Sequence, residues 1–150
     1  LIAVALPFAA DKELRAAAHA LFTQKDATGV TQTLVWVARD GWLKKNRAAV
    51  VDFLEDSLTV TRHITDPKNH EEVSAVVAKA MKQSPELYRG GLFSERDMYR
   101  DRNGIPNMAA LQSNLETQRA LGFLDKPIDV AAYADLSYVK EAGARLGPVN

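Results

Sequence analysis

The chain has 150 residues, with 19 Lys and Arg against 19 Asp and Glu, a formal net charge of zero, 47% hydrophobic residues and 25% charged ones. These proportions suit a globular body of one-domain size and exclude a disordered chain, while the balanced charge leaves no global field to draw it to nucleic acid or an anionic membrane. No cysteine is present, which excludes disulfides, thiolate metal sites and a cysteine nucleophile within these residues.

In chain order, residues 1–6 read Leu-Ile-Ala-Val-Ala-Leu. This apolar run is too short for a membrane span, carries no charged leader, and meets Pro7 at once, so it reads as a buried strand. Asp11 is placed to cap a helix whose apolar stripe is Leu14, Ala17, Ala18 and Leu21, fading from Thr23 to a close at Gly29. Residues 31–38, Thr-Gln-Thr-Leu-Val-Trp-Val-Ala, are rich in β-branched side chains and alternate two faces, which predicts a second, largely buried strand. Arg39 to Leu43 then turn the chain.

A long helix is expected from about Asn46, with Val50, Phe53, Leu54, Leu58 and Thr61 at helical spacing, ending before Pro67. Another amphipathic helix runs from His70 or Glu71 through Val73, Val76, Val77, Ala80 and Met81, and Ser84-Pro85 opens a short turn or helix. A helix from about Asn107 carries Ala110, Leu111 and Leu115. Gly122 stands where a left-handed cap would stop it, and Pro127 prevents an immediate restart. Asp135 precedes Leu136, Val139 and Ala142 and reads as the cap of a closing helix; Asp129 reads as a cap too. The account is helix-rich α/β, about two strands and six helices. Two strands cannot form an independent doubly wound sheet, so the numbering is expected to begin inside a larger polypeptide of which this is the carboxyl part.

Several clusters invite chemistry and lack its geometry. His63, Asp66, His70, Glu71 and Glu72 resemble a metal set, but Pro67 interrupts them and no H-E-x-x-H is present, so a solvated loop is the reading. His19 sits among alanines and needs no function. Gly90-Gly91 lacks the lysine and further glycines of a phosphate loop and reads as a hinge or turn. Arginines at 96, 100 and 102 are interleaved with acids and read as a salt-bridged surface segment. No catalytic group, metal site or cofactor is expected.

Three stretches together resemble a known family. Leu111-Gln112 on a helix ending in Leu121-Gly122-Phe123, the Pro127 link, and Asp135 opening the last helix resemble the carboxyl end of solute-binding proteins of ABC importers. The branch is that of the sulfonate, taurine and nitrate receptors and their thiamine-pyrimidine relatives. The run from Val35-Trp36-Val37-Ala38-Arg39 through Lys44-Lys45-Asn46 to Asp66-Pro67 resembles the family's strand, turn and helix, with Arg47 where the family often has proline.

The resemblance implies part of a two-lobed periplasmic-binding-protein fold. Residues 1–38 would end the second lobe and make the return crossing, and residues 39–150 would brace the first. It further implies capture of a small solute in an interlobe cleft, delivery to a membrane permease, and a periplasmic location. Pro7 and Phe8, after the first strand, would face that cleft, with Thr31 and Thr33 as weaker candidates of the same kind. Their bland reading is a strand cap, a packed ring and two strand hydroxyls. Enzymatic relatives, the pyrimidine synthases, carry a cysteine-rich stretch near the position of Val30 to Leu34, and Val-Thr-Gln-Thr-Leu stands there instead, which argues against that activity. A helical interaction or regulatory module unrelated to transport is the alternative.

Overall fold

In the computed structural model the described residues are 2–5, 7–89 and 101–149. They form eight α-helices: α1 (Lys12–Ala17), α2 (Gln24–Thr28), α3 (Asp40–Lys45), α4 (Arg47–Thr65), α5 (His70–Met81), α6 (Pro85–Arg89), α7 (Met108–Ala120) and α8 (Ser137–Leu146). Short 3-10 turns occur at Phe8–Ala10, Pro67–Asn69 and Val130–Ala132. There is no strand among the described residues. The expected α/β class with two strands is therefore corrected to a helical one. A β-branched run becomes a strand only when a second backbone lies alongside it, and residues 31–38 find none among the described residues, although they avoid helix. Leu1, Leu6, Gly90-Gly91 and residues 94–100 of the arginine run lie outside the described residues.

Local signals predicted most helix ends. Asp11 Oδ1 accepts from Leu14 N–H at 2.8 Å and Asn107 Oδ1 from Ala110 N–H at 2.9 Å, each satisfying a free donor of the first turn. Gly29 and Gly122 close their helices at φ +73° and +81°. The Phe123 N–H then reaches back to the Gln118 carbonyl at 2.9 Å, satisfying a carbonyl of the last turn. Two elements were missed. Thr23 and Asp26 form a reciprocal capping box that starts α2, and the expected turn after Arg39 is the helix α3. α1 also stops at Ala17, so Leu21 of the expected stripe is exposed.

The main core lies between α4 and α8. Val51 and Leu58 pack with Tyr138 and Ala142, flanked by Leu43, Val50, Leu54, Val139 and Leu146. Val51 is fully buried while Phe53 is half exposed, so the inward face is rotated from the expected stripe toward 51, 54 and 58. Ala142, also fully buried, lets α8 approach closely. Ion pairs stitch the edges of this contact. Arg47 bonds Glu141 at 2.7 Å with its guanidinium carbon 4.3 Å from the Tyr138 ring centre, and Arg145 reaches Asp52 at 2.7 Å and Glu55 at 3.3 Å. The four hydroxyls of Ser57, Thr59, Thr61 and Thr65 each donate to the carbonyl four residues back. That satisfies otherwise helix-averse residues within α4.

α5 and α6 form a second contact, closed by Arg89 on Glu71. Here too the buried face differs from the expected one. Val73, Ser74 and Ala78 are buried, whereas Val76 and Met81 are largely exposed. Ser74 Oγ and Tyr88 Oη are buried with no hydrogen-bond partner among the described residues. An unsatisfied buried hydroxyl carries a desolvation penalty that an apolar replacement removes. Ser74→Ala and Tyr88→Phe should each therefore leave stability unchanged or raise it by about 1 kcal/mol; urea unfolding checks this, and a loss above that size would show that the hydroxyls are bonded in solution.

Candidate functional site

A cleft of about 590 Å³ opens between the extended residues 32–38 and the faces of α4 and α8, with the loop at 101–106 on its third side. Its walls are mostly apolar. Trp36 and Phe53 meet edge to face with ring centres 5.2 Å apart and planes at 86°, and Trp42, Tyr138, Leu34 and Val139 are among the other lining residues. Edge-to-face contact is a favoured aromatic geometry, so Phe53, displaced from the core by the rotation of α4, is used as wall.

The extended wall is held by two side chains, those of Gln32 and Asn114. Gln32 accepts from the Asn107 N–H at 2.8 Å and donates to its own neighbour's carbonyl, Leu34, at 2.8 Å, while Asn114 donates to the Gln32 carbonyl at 3.3 Å. These bonds pin residues 32–34 to the start of α7. Gln112 does the same for the Pro127 link, donating to the Ile128 carbonyl at 3.1 Å and accepting from Val130 N–H at 3.0 Å. Gln32→Ala should lower stability by about 1–3 kcal/mol, because it leaves the Asn107 N–H without its partner. The Leu34 to Ala38 amides should exchange faster in the same variant, a change absent if the wall is held by packing alone.

The polar groups of the cleft are few. Gln32 is spent on the backbone as described. Asp101 Oδ1 accepts from the N–H groups of Asn103 at 2.8 Å and Ile105 at 3.1 Å, shaping the loop. Asp135 Oδ1 accepts from Ser137 N–H at 2.9 Å, ahead of α8. The Ser137 side chain and backbone hold the Asp135 carboxyl below the usual carboxylate range, with Arg47 and Lys44 adding in the same direction. A lowered pKa means that its contribution is present at neutral pH and fades as pH falls through the folded-state value. The arrangement can enclose an organic body by shape and apolar contact.

None of the four residues singled out from sequence lines this cleft. Thr31 is buried, its hydroxyl 3.4 Å from Gln24 Nε2 and 3.5 Å from the Thr33 hydroxyl, and Thr33 is exposed. The structure brings those two together. Pro7 and a half-exposed Phe8 stand at the turn leading to α1, apart from the cleft lining. Gln32 and Leu34, interleaved with the two threonines, line the cleft instead. Sequence reasoning passed over Gln32 because a glutamine's role depends on what lies opposite it.

His63 contacts Asn69, with Nδ1 3.2 Å from the side-chain amide, and its Nε2 lies 3.8 Å from Glu72. No helix among the described residues is long and apolar enough to cross a membrane. No family model, curated protein or solved structure matches the chain.

Proposed function

We propose that this chain is a substrate-binding component of an ABC importer, capturing a small solute and delivering it to a membrane permease from the periplasmic side, without catalysis. The observation that carries the reading is the cleft. Its volume of about 590 Å³ falls within the roughly 300–1,000 Å³ of small-molecule sites, and apolar walls with a few polar groups are their usual composition. Such walls favour a solute with an organic body, and the two carboxylates among them, Asp101 and Asp135, favour a neutral or cationic one such as a pyrimidine over a sulfonate or nitrate anion. The residues carrying the family resemblance support the reading through their roles: Gln112 clamps the proline link, Gly122 ends α7 and Asp135 leads into α8. Bound solute would favour the arrangement in which residues 32–38 close toward α4.

Thermal unfolding with benzenesulfonate, taurine, nitrate and an aminopyrimidine tests this. A true ligand at a hundredfold excess over its Kd adds about 2.7 kcal/mol, which raises the Tm of a chain of this length by roughly 5–10 °C. Phe53→Ala should abolish that shift. If none of the four moves the transition, the solute reading fails. A helical interaction or regulatory module would then account better for a chain that is helical throughout its regular structure.

A further inference from the structure

The cleft's outer wall has a second property that solute binding does not use. Residues 33–38 are extended, and among the described residues none of their backbone N–H groups donates a hydrogen bond and only the Leu34 carbonyl accepts one. Their side chains are also in water: Leu34 is 80%, Trp36 79% and Val37 89% exposed. No charged residue stands between Thr31 and Ala38. Edge strands are ordinarily protected against pairing by charges, prolines or a covering element; this segment carries no charge and no proline, and no described residue bonds its N–H groups.

We infer that residues 33–38 form a strand-addition edge whose occupant is the same segment of a second copy of this chain, paired antiparallel about a two-fold axis. The free backbone specifies the chemistry, because alternating N–H and C=O groups on an extended chain are matched by another extended backbone. Three observations favour a second copy. Zero net charge puts no repulsion between copies. With Val35 on the axis, Leu34 faces the partner's Trp36 and Arg39 faces the partner's Thr31, so an apolar pair forms and no like charges meet. The segment is also held at both ends, by Gln32 on the Asn107 N–H and by α3 beginning at Asp40, which reduces the ordering entropy that pairing must offset. A two-fold contact of this kind is self-complementary and closes at the dimer.

Sedimentation equilibrium over a wide concentration range reads the outcome. The weight-average mass should rise from 16.5 kDa toward twice that value, with the amides of residues 33–38 exchanging more slowly at the high end. Val35→Pro deletes an N–H that bonds nothing among the described residues and should hold the mass at 16.5 kDa. Val37→Lys, at the most exposed position, should do the same by adding an edge charge. Far-UV circular dichroism establishes that each variant is folded, and if one is not, the other decides. A monomer at every concentration overturns the inference, as does a dimer that survives in the folded variants.

Discussion

Leu58→Ala should lower the unfolding free energy by about 3–5 kcal/mol, the range for truncating a buried leucine where neighbours cannot collapse into the space. Leu58 is 3% exposed and sits at the centre of the contact between α4 and α8, with Val51, Tyr138 and Ala142 in the same cluster. Collapse is restricted on two sides. Ala142 and Gly143 already bring the α8 backbone near, with a Cβ at Gly143 falling 3.8 Å from a Leu58 methyl, and the ion pairs of Arg47 and Arg145 bridge the two helices. Urea unfolding should show a lower midpoint with an unchanged slope. Domains of this kind are stable by only about 5–15 kcal/mol, so the loss is a large share of the whole. A change below about 1 kcal/mol would mean that the α4–α8 contact is not the core in solution.

Gly104→Ala should cost about 3 kcal/mol, for two separable reasons. Gly104 has φ +67°, a left-handed conformation that penalises a Cβ by roughly 1–2 kcal/mol. A Cβ there would also lie 2.7 Å from Leu58 Cδ2 and 3.3 Å from Val139 Cγ2, and overpacking of this kind costs about 1–3 kcal/mol more. The two substitutions are coupled. In the double variant Leu58→Ala, Gly104→Ala, the truncated leucine removes the closest collision, so the loss should fall short of the sum by about 1–2 kcal/mol, the packing share of the glycine penalty. Strict additivity would place the whole effect in the backbone conformation and remove Gly104 from the core contact. Because the loop at 101–106 forms one side of the cleft, the single glycine variant should also weaken any solute that the wild type binds.

Helix termini were legible because their signals are local. Asp11, Asn107 and Gly122 act on backbone groups within a few residues of themselves, each where the sequence placed it, whereas Gly29 closes α2 and not the helix that Asp11 starts. The start of α4 near Asn46, its end before Pro67 and the span of α5 followed from the same kind of evidence. Helix faces were read less well. Apolar spacing marks a stripe, but residues 50, 51, 53, 54 and 58 offer two overlapping stripes, and the partner helix selected the one through Val51 and Leu58. On α5 the buried Ser74 carried no apolar signal at all.

Residues 31–38 mark the boundary between what sequence determines and what it does not. Their β-branched and aromatic side chains determine that the segment avoids helix, which it does. A strand is a property of two backbones, and the second belongs to the tertiary or quaternary structure. The same division holds for the cleft. Its wall residues Trp36, Phe53 and Tyr138 come from three separate stretches of chain, and the glutamine that holds the wall reaches 75 positions along the sequence to Asn107. By itself the sequence determined where the longer helices begin and end, because caps and breakers act over one turn. Only the tertiary structure decided which faces are buried, that no ladder forms among the described residues, and where the cleft lies, because each of those depends on what stands opposite.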